Sequence, residues 1–420
     1  MMAISVTDNI FLMASSLSSR CATGPADTAR RLQVIIAGLS ALILTVGLAR
    51  FAYTPMLPVM RTEAGLGDVA AGWLATYNYL GYLLGALFAA TVGSLGHKYR
   101  LYKLGLAIAV VTTIGMGMTD NMLAWSILRL LSGVSSTAGL LLASGLVLNW
   151  LISNGFKPEL GLHFVGLGLG IVVSGAAVAL MAGHLAWDGQ WLALGALGAA
   201  FCIPAWLWMP APAPAQPPAQ RPASRSAWRL QPSLLEGAYF CAGFGYVISA
   251  TFIVAMLEQI PVLAGKGSWV WVVVGALAAP SCFIWDRIAA CMGQAPALLL
   301  AFVIQIVAFI LPAVDSGAAS NLASAVLYGG TFVGIVSLAL SIVGRRAPDN
   351  PAKAMARLTV GYGVAQIIAP AMTGYMVDSS GSYAGPLGLA ALVMTAGACL
   401  LAIMIARERT HALPKAPQRD

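Results

Sequence analysis

Two arginines lie deep inside long apolar runs of this sequence, Arg50 in residues 33–59 and Arg129 in residues 121–149. A charge at the centre of a bilayer costs at least about 2.5–3.5 kcal/mol, so an arginine there usually faces a cavity. No Asp or Glu lies at a comparable depth in any apolar run. Because guanidinium binds carboxylate or phosphate through paired hydrogen bonds, two such cations without an acidic partner favour an anionic ligand.

Structural roles are the alternative for both arginines. Arg50 lies eight residues before Pro58, which places it roughly 12 Å from one end of its run. Its side chain can instead snorkel to the membrane interface. Arg129, at a similar depth, can instead bond backbone carbonyls and lock neighbouring helices together.

Several polar and aromatic side chains in the apolar runs are candidates to complete a substrate site. Hydroxyl and amide groups in a mostly apolar pocket orient small ligands. Tyr53 lies about one turn from Arg50, and Asn78 and Tyr82 share a helix face. Helix–helix packing is the alternative role of each candidate. The full set of predicted substrate-binding residues is Arg50, Tyr53, Asn78, Tyr82, Arg129, Tyr246, Tyr328, Tyr362 and Gln366.

The residue patterns of hydrolytic enzymes are absent from the sequence. It contains no HExxH or GxSxG motif and no pair of aspartates within an apolar run, which are arrangements used by metal-dependent and nucleophilic enzymes. Its six cysteines are scattered without metal-ligand spacing. We therefore predict no enzyme activity, no catalytic residue, no bound metal and no cofactor.

The composition indicates which elements must hold the candidate residues. Of 420 residues, 59% are hydrophobic and only 9% are charged, and the mean hydropathy is +0.83. A soluble domain carries roughly 25% charged residues, so lipid must cover most of this surface. The lipid bilayer is therefore a predicted partner, and the predicted fold class is an all-α membrane protein.

Twelve apolar runs are long enough to cross a hydrocarbon core about 30 Å thick. They are residues 33–59, 69–92, 101–118, 121–149, 160–183, 190–209, 234–257, 268–288, 295–314, 319–343, 354–377 and 384–406. Six and six predict two pseudo-symmetric six-helix bundles at residues 32–209 and 234–406. A Pro/Ala/Arg-rich stretch at 210–233 is a predicted cytoplasmic linker, and residues 1–31 and 407–420 are predicted cytoplasmic tails.

Lysines and arginines concentrate in alternate loops. If the N-terminus lies inside, the loops on the opposite side of the membrane hold only Arg61 and Lys266. Cytoplasmic loops of membrane proteins carry the excess of basic residues. The alternation predicts a multi-pass protein of a bacterial inner membrane with both termini in the cytoplasm. It also accounts for the net charge of +8 without nucleic acid, which is not an expected partner.

Two short segments resemble conserved loops of the major facilitator superfamily. Residues 93–100 (GSLGHKYR) are similar to that family's GxxxD(R/K)xGRR loop, with His97 in place of the Asp and Arg100 in place of the Gly. Asp286 and Arg287 keep the Asp-Arg pair at the equivalent place in the second half. The resemblance implies gating loops that clamp the two halves in one state, formed by His97, Lys98, Arg100, Asp286 and Arg287.

Further segments resemble the YbfB-type branch of this superfamily. They are residues 47–58 (GLARFAYTPMLP), 162–171 (LHFVGLGLGI) and 328–334 (YGGTFVG), and Arg129 with Gly133 is similar to a motif in the fourth helix of the superfamily. The resemblance covers about residues 32–406. It implies a twelve-helix transporter with the substrate between two halves.

Together these features predict a secondary transporter that moves a small solute, an organic anion or an amphipathic metabolite, by alternating access. The chain has no GxxxxGK(S/T) loop for nucleotide, so a coupling proton or another ion is a further predicted partner. We predict a monomer. Two alternatives stay open: a membrane sensor that binds a solute without transport, and a transporter of cationic drugs.

Overall fold

The computed structural model of the protein describes residues 25–157, 161–212, 232–346 and 351–412. In these residues the chain forms twelve long helices. Helix α1 comprises Pro25–Leu42, a π-helical segment Ile43–Phe51 and Tyr53–Glu63, and α4 comprises Met122–Thr137, a π-helical segment Ala138–Ala143 and Ser144–Ser153. The others are α2 (Asp68–Thr91), α3 (Leu95–Met116), α5 (Gly161–Met181), α6 (Trp187–Trp208), α7 (Pro232–Glu258), α8 (Gly267–Met292), α9 (Gln294–Val314), α10 (Ala318–Arg346), α11 (Pro351–Ser380) and α12 (Ala384–Ala412).

Nine of the described helices are long and apolar enough to cross a membrane by length and composition. The other three, α2, α3 and α11, contain polar residues that lower their hydropathy, such as Asn78 in α2 and Arg100 in α3. They are 24, 22 and 30 residues long, which is sufficient to span a bilayer at about 1.5 Å per residue. The predicted all-α fold with twelve spans is therefore confirmed.

Helix ends differ from the predicted spans because polar end turns continue a helix beyond its apolar stretch. Helix α1 begins at Pro25, inside the predicted tail 1–31, and α12 continues to Ala412 in the predicted tail 407–420. Helix α3 begins at Leu95, ahead of the predicted residue 101. The predicted linker 210–233 lies almost wholly outside the described residues.

Because the helices alternate in direction, Pro25 and Ala412 lie on one side of the molecule, which we name the termini side. The opposite side, where α1 ends, is named the far side. There Arg61 forms an ion pair with Asp68 at 2.9 Å and donates a hydrogen bond to the hydroxyl of Tyr383 at 3.0 Å. Burial raises the pKa of Tyr383 to about 12, so its hydroxyl stays protonated.

Helices α1–α6 and α7–α12 form two halves that pack mainly through three helix pairs: α1 with α7, α2 with α11, and α5 with α8, with a smaller contact between α1 and α8. Glycines allow the backbones to approach. A Cβ on Gly72 of α2 would lie 2.5 Å from the carbonyl oxygen of Pro370 in α11, and one on Gly168 of α5 would lie 2.4 Å from the backbone nitrogen of Ala279 in α8. Adding six to each helix number converts the α2–α11 pair into the α8–α5 pair. This relation is expected if the two halves are pseudo-symmetric.

Tyr79, near the middle of α2, lies within hydrogen-bonding reach of Tyr246 in α7. Four other side-chain hydrogen bonds between the described parts of the two halves involve the far-side portions of α1 and α2. They join Thr54 to the Ala250 carbonyl (2.5 Å), Arg61 to Tyr383 (3.0 Å), Trp73 to Tyr375 (3.3 Å) and Thr76 to the Ile367 carbonyl (2.9 Å). On the termini side the first half has an apolar core of its own, which includes Val34, Tyr102 and Leu151. The two halves are thus joined most firmly on the far side.

Candidate functional site

Arg50 lies in the last turn of the π-helical segment of α1 and is only 5% exposed. Its guanidinium carbon lies 4.4 Å from the ring centre of Tyr79 and 4.8 Å from that of Tyr82, both in α2. These distances are typical of cation–π contacts. The Nε atom is buried without a hydrogen-bond partner among the described residues. Arg50 is therefore a buried cation whose hydrogen-bonding capacity is incompletely used.

The acidic residues that form ion pairs in the described chain lie far from Arg50 along the helices. Their pairs are Arg61–Asp68, Arg346–Glu408 and Arg357–Glu236, and each lies near helix ends. A buried cation without an opposite charge is costly unless a ligand supplies that charge. Among the described residues, the positive charge of Arg50 thus has no carboxylate beside it.

Arg129 of α4 has a different environment, although it is equally buried. Its Nη1 donates to the Ala49 carbonyl at 3.1 Å and to the Arg50 carbonyl at 3.5 Å, and its Nε donates to the Leu74 carbonyl at 3.4 Å. Its guanidinium also lies 4.4 Å from the ring centre of Tyr53. These contacts tie α4 to α1 and α2, which is the structural alternative given above for Arg129.

Asn78 of α2 belongs to the same network. Its Nδ2 donates to the Arg129 carbonyl at 3.0 Å and to Ser132 Oγ at 3.2 Å, and Ser132 Oγ donates to the Ala49 carbonyl at 2.6 Å. The backbones cross closely here, since a Cβ on Gly133 would lie 1.9 Å from the Asn78 carbonyl oxygen. Asn78 Oδ1 is buried and has no partner among the described residues.

A narrow cavity lies at these residues, on the boundary between the halves. It leaves about 10 Å³ for the centre of a water-sized sphere, which is room for about one water molecule. A larger ligand enters only if the halves separate. The lining residues are Arg50, Phe51, Tyr53, Thr54, Ala75, Asn78, Tyr79 and Arg129 of the first half and Ala250 and Thr251 of α7.

An aromatic cluster lies in the second half. Its rings are nearly parallel, with interplanar angles from 13° to 28° and centre distances from 4.4 to 6.4 Å. Tyr246 lies within electrostatic range of Arg50, so the cluster approaches the cavity from α7. We define the aromatic cluster as Tyr239, Tyr246, Tyr328, Phe332 and Tyr362.

Among the remaining predicted site residues, Tyr53 and Tyr328 form hydrogen bonds through their hydroxyls, whereas Gln366 has a side-chain oxygen without a described partner. The hydroxyl of Tyr53 donates to the Ala71 carbonyl at 3.0 Å, and that of Tyr328 donates to the Tyr246 carbonyl at 3.1 Å. Gln366 lies one turn after Tyr362 in α11 and is 2% exposed. Its Oε1 has no hydrogen-bond partner among the described residues.

Sequence reasoning missed Tyr79, whose ring is nearest to the Arg50 guanidinium among the recorded cation–π contacts. Its spacing of three residues before Tyr82 was the available signal, because residues i and i+3 share a helix face. The prediction paired Tyr82 with Asn78 instead. Asn78 is turned toward α4, where it bonds Ser132.

The predicted gating loops are helical, which corrects that expectation. His97, Lys98 and Arg100 lie in the first turns of α3, and Asp286 and Arg287 lie in α8. The connections themselves are short: residues 92–94 join α2 to α3, and only Gly293, with φ of 93°, joins α8 to α9. Among described residues no ion pair joins the two groups, so a clamp between them stays a prediction.

No cluster of three or more His, Cys, Asp or Glu side chains among the described residues could hold a metal ion. His163 is buried in α5, and its Nε2 forms a 2.9 Å hydrogen bond with Ser144 Oγ of α4.

Comparison with known proteins agrees with this architecture. Two crystal structures of the nucleoside transporter NupG, one of a mutant, superpose with TM-scores of 0.69 and 0.68 at 14% sequence identity. Each comparison covers 90% of this chain and 99% of the other. Identity at this level shows a common fold alone. A search of curated proteins found no match.

A sequence model of a family described as "Uncharacterised MFS-type transporter YbfB" matches residues 42–405. The match spans α1 from its π-helical segment through most of α12. It includes both buried arginines and the aromatic cluster. The chain therefore belongs to the YbfB-type family of MFS transporters.

Proposed function

We propose that this secondary transporter carries a small organic anion or an amphipathic metabolite, and that Arg50 binds the acidic group. The observation that carries the proposal is the environment of Arg50. Its guanidinium is buried at the boundary between the halves, has no carboxylate partner among the described residues and leaves Nε unbonded. An anion supplies the missing charge and the missing hydrogen-bond acceptor.

Arg129 supports the site without being its main anchor. Its Nε and Nη1 are already engaged by carbonyls of α1 and α2. Those contacts hold the backbone beside Arg50, and the charge of Arg129 adds to the positive potential of the cavity. Two guanidinium groups at one cavity repel a cationic ligand, which disfavours the alternative of a cationic drug.

The location of the contacts between the halves supports alternating access. Four of their described side-chain hydrogen bonds involve the far-side portions of α1 and α2, so separation on the termini side would expose the cavity first. Breaking the far-side bonds would then expose it to the opposite compartment. In this scheme the bundles 32–209 and 234–406 rock about the cavity and a coupling proton or another ion accompanies the substrate.

We assign the termini side to the cytoplasm of a bacterial inner membrane. The loops there carry most of the lysines and arginines, whereas the far-side loops carry Arg61 and Lys266. A membrane-impermeant thiol reagent tests this assignment on intact cells. A cysteine placed in the far-side loop at Lys266 should react, and one placed at Lys98 should react only after permeabilisation.

The test of the function combines binding with flux. Purified protein is screened by thermal shift against monocarboxylates, dicarboxylates, phosphorylated metabolites, nucleosides and cationic drugs, and each hit is assayed for uptake in proteoliposomes. A ligand at about 100 times its Kd should stabilise the fold by about 2.7 kcal/mol. Anions should stabilise wild type, and Arg50→Gln should abolish both stabilisation and flux.

A matched control is Arg345→Gln, which removes the same charge from an exposed position at the end of α10. It should leave binding and flux unchanged. Stabilisation by cations or nucleosides alone, or a normal anion response in Arg50→Gln, would overturn the anion proposal. Binding without flux in sealed proteoliposomes would instead identify a sensor.

A further inference from the structure

The amide orientation of Asn78 is determined by its hydrogen bonds. Ser132 Oγ uses its single hydrogen to bond the Ala49 carbonyl at 2.6 Å, so toward Asn78 it can only accept. The Arg129 carbonyl can also only accept. Both neighbours of Asn78 therefore require its NH₂ group, at 3.2 and 3.0 Å. The amide oxygen must be the atom that faces away from this pair.

The amide oxygen of Asn78 is a hydrogen-bond acceptor in the buried interior, where an acceptor without a donor is energetically costly. Asn78 is fully buried, and its Oδ1 has no partner among the described residues. Leaving a buried polar atom without a hydrogen bond costs about 1–3 kcal/mol. Asn78 lines the same narrow cavity as Arg50, whose Nε is an unused buried donor.

One cavity thus presents an unused donor and an unused acceptor. The cavity has room for about one water molecule, and a water there would have to accept from Arg50 and donate to Asn78 to satisfy both atoms. A ligand that replaces this water must offer both functions. A simple carboxylate accepts from Arg50 but leaves the Asn78 oxygen unsatisfied.

We propose that the substrate is an organic anion that carries a hydrogen-bond donor beside its acidic group, with a 2-hydroxy carboxylate as the type. The inference rests on the proposed function, since Arg50 binds the carboxylate in both. The hydroxyl on the neighbouring carbon donates to Asn78 Oδ1. Phe51, Ala75 and Tyr79 give the remaining cavity wall an apolar and aromatic surface, which suits a substituent such as phenyl or a branched alkyl group.

The test uses matched ligands on the full-length wild-type protein. Mandelate carries the hydroxyl, phenylacetate lacks it, and 2-methoxy-2-phenylacetate (the O-methyl ether of mandelate) keeps the oxygen but lacks the donor. Isothermal titration gives the affinities, and counterflow in proteoliposomes gives transport. Mandelate should bind at least about 10-fold more tightly than both analogues, because they leave a buried acceptor unpaired.

Asn78→Ala supplies the second arm. It should abolish the preference for the hydroxyl, so that mandelate and phenylacetate bind with affinities within about twofold of each other. If the variant fails to fold, the wild-type comparison between mandelate and its methyl ether decides alone. Equal affinity of wild type for all three acids, with each still dependent on Arg50, would overturn this inference and leave the proposed function intact. Failure of every acid to bind would overturn both.

Discussion

Replacing Arg50 with Met should stabilise the ligand-free protein, although the residue is buried. The substitution loses three cation–π contacts, at 4.4, 4.8 and 5.6 Å, worth about 0.5–2 kcal/mol each and least for the longest. It also removes a buried charge with an unbonded Nε, whose desolvation costs several kcal/mol. We expect a net stabilisation of about 1–3 kcal/mol, since an apolar side chain of similar length refills the space.

Arg129→Met is the contrasting variant. It loses charged hydrogen bonds to carbonyls at 3.1 and 3.4 Å, worth about 1.5–3 kcal/mol each. The Ala49 carbonyl keeps its bond from Ser132, whereas the Leu74 carbonyl loses the bond from Arg129. The expected net destabilisation is about 2–4 kcal/mol. It is smaller than the sum of the lost hydrogen bonds because the variant no longer buries a charge.

The assay is thermal unfolding of purified, ligand-free protein in one detergent, with Arg345→Met as an exposed control expected to stay within about 0.5 kcal/mol of wild type. The two buried arginines should shift the melting temperature in opposite directions. If Arg50→Met destabilises the protein as strongly as Arg129→Met, Arg50 is a structural residue. The cavity would then have no charge reserved for a ligand, and the reasoning from its environment would fail.

Three more outcomes follow from the packing and the far-side contacts. Gly133→Ala should abolish stable expression because its Cβ would lie 1.9 Å from a backbone oxygen of α2, whereas Gly145→Ala meets nothing within 4 Å and should express normally. Hydrogen bonds from Ser320 and the Gly317 backbone lower the pKa of Asp315 below 3.8. Their contribution is present above that value and is lost as pH falls through the folded pKa, so Ser320→Ala should lower thermal stability at neutral pH and match wild type in acid. Arg61→Gln should loosen the far side, seen as faster hydrogen–deuterium exchange at the far-side ends of α2 and α11; unchanged exchange would show that packing alone closes that side.

The fold was accessible from the sequence because span length and loop charge are imposed directly by the bilayer. Apolar runs must be long enough to cross the hydrocarbon core. A missed span would place every later basic loop on the wrong side of the membrane. Even α2, with Asn78 and several tyrosines near its middle, could be recognised from the runs on either side. Helix ends were less accessible, since polar turns such as those at Lys98 continue α3 past the apolar stretch.

The site was only partly accessible. Unusual residue types pointed to Arg50 and Arg129, but their different roles depend on which carbonyls lie within reach. The hydrogen bonds from Arg129 to the Ala49 and Leu74 carbonyls form because α4, α1 and α2 meet at this point. Residue spacing alone does not contain that information. Tyr79 was missed for a related reason, because its contact with Arg50 depends on how α1 is rotated against α2.

That rotation is set by the π-helical segment Ile43–Phe51. A π-helix bonds i to i+5, so it holds more residues per turn than an α-helix and marks functional sites often. Its carbonyls at Thr45 and Ala49 receive side chains of α4, from Ser136 at 3.1 Å and Ser132 at 2.6 Å. Helix α1 is thus held by α4 at Thr45 and Ala49, and the π-helical segment gives it more residues per turn there than an α-helix has. If the wide turn migrates along the helix, Arg50 turns about the helix axis by part of the roughly 100° that separates successive α-helical residues, without any break in α1.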